Sequence, residues 1–435
     1  MQTGRDPRLD FRFFFEELSS KGRLASPEKP LSLDFQVARF ILDNQPSPVL
    51  IQTEKGLVVS NILATRESLY RAIGVSSDLE AYTRMSRALL SPRKLTRIEA
   101  SSVSSLGDDL YKLPIPKFFE KDGGYYVTAG IFIAREHDGA AINASIHRAL
   151  LLDERHFAVR LVPRHLYHMF TKAEKSGRPL QAAILVGAPP VMYVSAAASP
   201  PYGVYEAEVA NALVDGGLAA TVDLLENVPL PIPSEYIILG EFIPGKRASE
   251  GPFVDILGTY DEIREEPVFE VQEVLARPNP LFYSILPSGS EHILLMGFPR
   301  EVSIWESVSK VVPRVHRVRL PVSGGGWLYA VISIDKTTEG DAKNAILAAF
   351  AAHPSLKIAV IVDGDVDPDN PREVEWAITT RMQPDEDILV IKGVRGSSLD
   401  PSADQKTLLT SKLGIDATRP LSKPEWLFKR AKIPS

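Results

Sequence analysis

The sequence predicts an α/β protein built from about three successive domains. The chain has 435 residues, and roughly 150 residues per domain is typical. Strand-like and helix-like segments alternate near both ends of the chain, whereas strand-like segments dominate its middle. The run LPIP at 113–116 cannot continue a helix and predicts a linker. We therefore expect an N-terminal α/β domain over 1–112, a β-rich domain over 113–300 and a C-terminal α/β domain over 301–435.

The N-terminal block predicts helices on either side of a strand pair. Residues 10–22 place apolar side chains at helical spacing and end at a glycine. Residues 48–53 and 57–62 are strand-like and flank a Glu-Lys-Gly turn. Residues 66–90 return to helical spacing and stop before a Ser-Pro pair.

The middle block predicts a barrel-like sheet with short helices. Apolar, β-branched and aromatic residues recur in short runs, which indicate strands at 124–136, 156–162, 181–187, 235–243 and 267–275. Helical spacing indicates helices at 164–175 and 204–214.

The C-terminal block returns to strand–helix alternation. Its predicted strands are 314–320, 327–334, 357–362 and 387–391, and its predicted helices are 340–352 and 371–381. The glycine run at 323–326 precedes a strand rather than a helix, so we interpret it as a turn and not as a phosphate loop. The aspartates at 363–369 lack the glycine and the bidentate glutamate of a calcium loop, so we expect them to cap the following helix.

Composition excludes several classes of function. The chain carries 49 Lys and Arg against 55 Asp and Glu, and this net charge of -6 argues against a nucleic-acid partner. It has no cysteine, which excludes disulfides, thiol nucleophiles and thiolate metal sites. The N-terminus is charged where a signal peptide is apolar, and no apolar run approaches the ~18 residues of a membrane span. We expect a cytoplasmic protein with no membrane span.

One group of polar residues has the donor set of a metal site. Asn143 offers an amide oxygen, Glu235 offers a carboxylate, and an imidazole could come from any of His147, His156, His165 and His168. Such ligands suit Mn²⁺ or Mg²⁺, particularly an ion that shares a phosphate. The alternative interpretation, in which His165 and His168 simply mark one face of a helix, stays open.

A second group could transfer protons. Glu250 and Asp255 lie five residues apart around a Gly-Pro turn. With an arginine such as Arg148 nearby, two carboxylates can differ in pKa and act in proton transfer. A solvated acidic turn is the alternative.

Eight segments, in this order along the chain, resemble the UbiD family of prenylated-flavin-dependent decarboxylases. They are LPIP (113–116), DGGYYVT (122–128), NASIHR (143–148), PSE (233–235), EGPFVD (250–255), VDGDVD (362–367), QPDED (383–387) and KLGIDAT (412–418). The resemblance implies an N-terminal α/β domain, a central split β-barrel that binds the flavin, and a C-terminal α/β domain used in assembly into a homo-oligomer.

The resemblance also implies a cofactor and its ligands. The cofactor is prenylated FMN, whose phosphate is held through a divalent ion, usually Mn²⁺, often with K⁺ nearby. Asn143 and Glu235 match metal ligands, and His165 resembles a third ligand with its register one residue off. The residues that match flavin contacts are Ile146, His147, Arg148, Arg160, Leu161, Val162 and His165. The catalytic set maps to Glu250, Arg148 and Asp255. One departure is Leu239, where many relatives have a glutamate.

The implied reaction is decarboxylation of a small unsaturated acid, with a flavin prenyltransferase as the supplier of the cofactor. The compact length, the absence of cysteine and the 34 prolines are similar to archaeal members. One such group converts trans-anhydromevalonate 5-phosphate to isopentenyl phosphate in a modified mevalonate route, which we take as the expected reaction. The alternatives are a polyprenyl-hydroxybenzoate or other aromatic acid decarboxylase, and a carrier of the prenylated flavin that is not an enzyme.

Overall fold

A computed structural model describes residues 6–21, 24–99, 103–139, 141–225 and 228–431. The chain divides into two compact units. The first unit contains the described residues up to Ser77 together with Arg87–Leu295, and the second contains Asp78–Ser86 together with the described residues from Met296 onward.

The described helices and strands follow one another in an order that matches the α/β prediction. The α-helices are α1 (Phe11–Lys21), α2 (Gln36–Asp43), α3 (Arg66–Ile73), α4 (Asp78–Leu90), α5 (His165–Lys175), α6 (Pro190–Ala196), α7 (Glu206–Leu213), α8 (Ser290–Val308), α9 (Asp341–Ala352), α10 (Pro371–Arg381) and α11 (Pro384–Asp387). The strands are β1 (Val49–Thr53), β2 (Gly56–Ser60), β3 (Thr96–Arg97), β4 (Ser104–Ser105), β5 (Tyr126–Val127), β6 (Ile131–Arg135), β7 (Ile142–Ile146), β8 (Ala149–Leu151), β9 (His156–Val159), β10 (Leu180–Val186), β11 (Ala219–Thr221), β12 (Leu230–Ile232), β13 (Tyr236–Glu250), β14 (Phe253–Val254), β15 (Tyr260–Asp261), β16 (Arg264–Ala276), β17 (Leu281–Tyr283), β18 (Arg314–Arg319), β19 (Tyr329–Asp335), β20 (Ile358–Asp363), β21 (Ile388–Arg395) and β22 (Leu409–Ala417).

A nine-stranded sheet forms the centre of the first unit. Its hydrogen-bonded order is β5-β8-β9-β16-β13-β10-β6-β7, and β4 pairs with β16 beside this path. The long strands β13 and β16 pair antiparallel, with register shifts at Leu239/Gly240 and Phe242/Arg247 that bend the ladder. Phe132, Phe242 and Phe269 meet at centroid distances of 5.1–6.0 Å and fill the interior of the unit.

The second unit is a five-stranded sheet with helices on both faces. Its order is β18-β19-β20-β22-β21, and β20 pairs parallel with both β19 and β22. Successive side chains of a strand point to opposite faces. Accordingly, Ile332 on β19 packs with Ala345 of α9, whereas the next-door Val331 packs with Val374 and Ala377 of α10.

The structure adds elements that were not predicted, including α2, α6, α8 and β22, and divides the predicted helix 66–90 into α3 and α4. Helix α8 was not predicted, because it contains Pro299 and lacks a clean polar face. The cap of α10 is Asn370, whose side chain accepts from the Arg372 N–H. The aspartates of 363–369 instead bind arginines: Asp363 and Asp365 bind Arg381, and Asp367 and Asp369 bind Arg317.

Four other predictions concern the glycine run, the end of α1, membrane spans and the domain boundaries. The segment Ser-Gly-Gly-Gly at 323–326 ends a short 3-10 helix (Val322–Gly324), and the turn expected there follows it, before β19. Gly22, the predicted stop of α1, lies outside the described residues. Within the ranges that the structure describes, no helix is both long and apolar enough to cross a membrane. The division at 112/113 stays a prediction, and the one at 300/301 falls within α8.

Candidate active site and cation site

An arginine held by three acidic side chains forms the first cluster. Arg148 lies in the short turn between β7 and β8, and Glu250 is the last residue of β13. The guanidinium donates to both oxygens of Glu250, from Nε at 2.8 Å and from Nη2 at 2.9 Å. Glu250 is fully buried and also accepts from the Tyr126 hydroxyl at 3.1 Å. This paired, charge-assisted geometry fixes the plane of the arginine.

The other two acids lie on the hairpin of β14 and β15 and face the same guanidinium. Asp261 Oδ2 accepts from Arg148 Nη2 at 3.1 Å, and Asp255 Oδ2 lies 3.5 Å from Nη1. The Phe253 ring lies 4.7 Å from the guanidinium carbon, on its face. The structure therefore brings together Arg148, Glu250 and Asp255, and adds Asp261, which the sequence reasoning missed.

The three carboxylates differ in how firmly the protein holds them. Glu250 has three donors, and Asp261 is bound by Arg148 and by Arg264 at 2.6 Å. Among the described residues, Asp255 has only the long contact to Arg148 and the Ile256 N–H at 2.6 Å as side-chain partners, and about a quarter of its side chain (24%) is exposed. Asp255 is therefore the carboxylate of this cluster that the protein holds least firmly.

Burial and charge shift the pKa values of this cluster in opposite directions. Burial opposes the charge of Arg148, but the hydrogen bonds and negative charges of Glu250, Asp255 and Asp261 raise its pKa above the ordinary value. Burial and the Glu250 charge raise the pKa of Tyr126. Although burial raises the pKa of Asp261, its bonds to Arg264 and the charge of Arg148 lower it overall. Arg148, Asp261 and Tyr126 thus keep their ordinary charges at neutral pH.

A histidine that the sequence reasoning missed also belongs to this region. Burial and the positive charge of Arg148 lower the pKa of His292, while the charge of Asp255 opposes the shift. The ring accepts the Ser288 N–H at Nδ1, at 3.0 Å. Because Nδ1 accepts, the proton of the neutral ring is on Nε2. No sequence signal marked His292, since it lies on the unpredicted helix α8.

A second cluster lies where β7 meets the starts of α5 and α7. Asn143 on β7 donates from Nδ2 to Glu206 Oε1 at 2.8 Å, and the Ala144 N–H donates to Glu206 Oε2 at 2.6 Å. The His165 ring nitrogen Nδ1 lies 4.0 Å from Glu206 Oε1. Glu206 is the first residue of α7 and is buried, and burial raises its pKa to about 8. The structure thus brings together Asn143, His165 and Glu206.

The predicted ligand Glu235 belongs to a different network, so this prediction requires correction. Its buried carboxylate accepts from Arg12 Nη2 at 2.6 Å, from Arg277 Nη1 at 2.9 Å and from the Leu281 N–H at 3.0 Å. These donors occupy both oxygens and balance the charge. Glu235 therefore ties α1 to the chain around β17, and the carboxylate beside Asn143 is that of Glu206.

The residues predicted to contact a flavin lie on two adjacent segments. The Arg160 N–H donates to the Arg148 carbonyl at 3.2 Å, so 146–148 and 160–162 run side by side. His147 and Leu161 are buried, Ile146 is half-buried and Val162 is exposed. Arg160 binds Glu266 at 2.5 Å. Their role in cofactor binding stays a prediction.

Two family models match most of the chain. The model described as the 3-octaprenyl-4-hydroxybenzoate carboxy-lyase Rift-related domain matches residues 97–290. The model described as the C-terminal domain of the same carboxy-lyase matches residues 293–417. The chain belongs to the UbiD family of carboxy-lyases. The first UbiD match spans every residue of both clusters, and the resemblance seen in the sequence is confirmed.

Curated UbiD relatives cover nearly the whole chain. The anhydromevalonate phosphate decarboxylase of Aeropyrum pernix is 42% identical over 94% of this chain and 93% of its own length. The enzyme of the same name from Methanosarcina mazei is 42% identical over 98% of this chain and 100% of its own length.

Solved UbiD-class structures share the fold. The enzyme HmfF from Pelotomaculum thermopropionicum, in complex with FMN, superposes with a TM-score of 0.93 at 34% identity, covering 98% of this chain and 97% of that chain. An evolved dimeric form of HmfF in complex with prFMN superposes with a TM-score of 0.89 at 33% identity, with the same coverage. The predicted α/β fold class is confirmed.

The second cluster offers the oxygen and imidazole donors that a divalent cation prefers. In the described part of the chain, no lysine or arginine pairs with the buried Glu206 carboxylate. Arg164, next to His165, donates to Ser199 at 3.0 Å and pairs with no carboxylate of the described residues. The charged form of a buried carboxylate is costly without a cation, which is why burial raises the pKa of Glu206 to about 8. Arg164 is exposed, so its lack of a carboxylate partner carries no such cost. The described residues hold no cluster of three His, Asp or Glu side chains, so the Asn143 amide oxygen is needed as a ligand.

Proposed function

We propose that this chain decarboxylates trans-anhydromevalonate 5-phosphate to isopentenyl phosphate and CO₂, with prenylated FMN as the cofactor. Curated relatives named for that decarboxylase are 39–42% identical to this chain over at least 90% of its length. The observation that carries the proposal within this chain is the buried pairing of Arg148 with Glu250, with the less firmly held Asp255 beside it.

Each member of the first cluster has a defined task in this reaction. Arg148 binds and orients the carboxylate of the substrate, because a guanidinium recognises a carboxylate through two parallel hydrogen bonds. Glu250 and Asp261 hold the guanidinium in its plane. When bound, the prenylated flavin supplies the electron sink that a departing CO₂ requires. Asp255 then delivers a proton to the carbon that CO₂ has left.

Asn143, His165 and Glu206 are the proposed ligands of a divalent ion, Mn²⁺ in the first instance, that binds the flavin phosphate together with Arg164. The oxygen and imidazole donors suit Mn²⁺. The predicted K⁺, the flavin prenyltransferase as cofactor supplier, the homo-oligomer and the cytoplasmic location belong to the same proposal. An evolved form of HmfF is described as dimeric, which supports assembly as a property of the family.

The test compares two substrates and two ways of preparing the protein. Protein produced together with a flavin prenyltransferase should turn over the phosphorylated enoate faster than 4-hydroxybenzoate-type acids, and protein produced without it should be nearly inactive. Faster turnover of the aromatic acid would support the alternative, an aromatic acid decarboxylase. Full activity with plain FMN would refute the proposed cofactor.

Two glutamate variants test the ion site. Glu206→Gln should lose bound metal and flavin together, because the ion links them. Glu235→Gln should keep both, since that carboxylate binds two arginines. Wild-type metal content in Glu206→Gln, measured by elemental analysis, would contradict the assignment.

A further inference from the structure

Three side chains on one face of β7 and the residue after it form a continuous chain of hydrogen bonds. Asn143, Ser145 and His147 alternate along the strand direction and therefore face the same side. Ser145 Oγ lies 2.8 Å from Asn143 Oδ1 and 2.9 Å from His147 Nε2. His147 Nδ1 lies 2.9 Å from the Arg160 carbonyl oxygen.

If Asn143 Oδ1 faces Ser145, this series of hydrogen bonds has one proton too few. A carbonyl oxygen only accepts, so His147 Nδ1 must carry a proton to bond with Arg160. Burial and the nearby charges of Arg164 and Arg160 lower the pKa of His147 to about 4, so the ring is neutral at neutral pH and Nε2 accepts. Asn143 Oδ1 and His147 Nε2 then compete for the single hydroxyl proton of Ser145.

Rotation of the Asn143 amide by half a turn satisfies Ser145, His147 and the Arg160 carbonyl, and removes the Nδ2 donor from Glu206 Oε1. The oxygen and nitrogen of a carboxamide have the same shape, so the hydrogen bonds decide their assignment. In the rotated amide, Nδ2 donates to Ser145 Oγ, Ser145 donates to His147 Nε2, and His147 Nδ1 donates to Arg160. The amide oxygen then faces the Glu206 carboxylate and His165.

We propose that Ser145 and His147 are positioning residues that turn the amide oxygen of Asn143 toward Glu206 and so preset it as a ligand of the divalent cation. The inference rests on the proposed ion site and adds the residues that orient it. Two oxygens that face each other in a buried site repel unless a proton or a cation lies between them. We call the series of hydrogen bonds from the Arg160 carbonyl through His147 and Ser145 to Asn143 the relay. The relay thus favours the orientation of the Asn143 amide that binds metal.

Mn²⁺ binding to the FMN-loaded protein tests this inference without any measurement of turnover. Electron paramagnetic resonance of free Mn²⁺ during a titration gives the affinity. Ser145→Ala and His147→Leu should each weaken Mn²⁺ binding by about 10- to 100-fold, the usual effect of removing a group that orients a ligand. Ser145→Thr keeps the hydroxyl and should stay within about threefold of the wild type.

The double variant separates a relay from general damage. If Ser145 and His147 act as one unit, Ser145→Ala in the His147→Leu background should cost no more than about threefold further. Ser249→Ala on β13, whose hydroxyl binds Glu265, is the matched control and should bind Mn²⁺ normally. The thermal midpoint of every variant is recorded, so that a loss of Mn²⁺ affinity caused by unfolding is recognised. If Ser145→Ala unfolds, Ser145→Thr decides, because it keeps the hydroxyl and must keep the affinity.

The outcomes distinguish this inference from the proposed function. Wild-type affinity in Ser145→Ala, together with loss in Glu206→Gln, would refute the relay and leave the ion site intact. Losses that multiply in the double variant would also refute it, because two independent defects would then be present. Wild-type affinity in Glu206→Gln would refute the ion site itself.

Discussion

Glu235→Gln separates the structural glutamate from the metal-binding one. The substitution keeps the shape of the side chain but removes the charge that faces Arg12 and Arg277. Arg12 lies on α1, and its guanidinium reaches Glu235 with Nε at 3.2 Å and Nη2 at 2.6 Å. The variant should therefore loosen α1 and leave metal binding intact.

The free-energy cost of Glu235→Gln depends on the hydrogen-bond partners that Arg12 and Arg277 keep. Removing one member of a buried ion pair costs about 3–5 kcal/mol. Arg277 keeps Asp10 at 3.1 Å, and Arg12 keeps the carbonyls of Pro278 and Asn279 at 3.2 Å and remains a quarter exposed (26%). The cost should therefore lie near the lower limit, about 3 kcal/mol, which corresponds to roughly a hundredfold change in the opening equilibrium of α1.

Hydrogen exchange followed by mass spectrometry measures this opening segment by segment. Amides of α1 should exchange roughly a hundredfold faster in Glu235→Gln, whereas those of α5 should not change. Glu241→Gln, on β13, provides a matched charge removal outside the network and should leave α1 unchanged. Unchanged exchange in α1 together with lost Mn²⁺ would refute this reasoning and restore Glu235 as the metal ligand.

Three further predictions concern the first cluster and a buried acid. Asp255→Asn should fold, keep metal and flavin, and lose turnover by about 10²-fold or more, which deuterium uptake at the vacated carbon checks. Near-normal turnover in Asp255→Asn together with lost turnover in Glu250→Gln would reassign the proton donor to Glu250. Arg148→Lys should raise KM and lower kcat, because an ammonium cannot form the paired bonds to Glu250; steady-state kinetics test this, and unchanged constants would contradict it. Burial raises the pKa of Glu291 to about 7, so its contribution to the free energy of unfolding should be greatest below about pH 4.5 and fall by about 3 kcal/mol as pH rises to about 7. Urea midpoints measured against pH should show this fall in the wild type and a smaller one in Glu291→Gln. An equal pH dependence of the two proteins would exclude Glu291 as its source.

Local sequence patterns were sufficient to predict the helices and strands with a strong apolar period and the motifs that lie on one strand. Helices such as α9 and α10 and strands such as β10 and β20 follow from apolar spacing and punctuation by proline and glycine. Asn143 and Arg148 were predicted as site residues from one short segment. The pairing of Arg148 with Glu250, 102 residues later, required the family resemblance, because spacing alone favoured a solvated acidic turn.

The identity of the glutamate that faces Asn143 depended on long-range packing. Glu206 and Glu235 both follow irregular, proline-containing segments, and nothing in their local sequence separates them. Sheet register and helix packing bring Glu206 to β7 without a cation, and bring Arg12 and Arg277 to Glu235. The same holds for Asp261, which binds Arg148 from β15, and for His292 on α8, whose pKa the charges of Arg148 and Asp255 shift. Long-range contacts depend on how buried surfaces fit together, and a local pattern carries no information about the residue that will lie opposite.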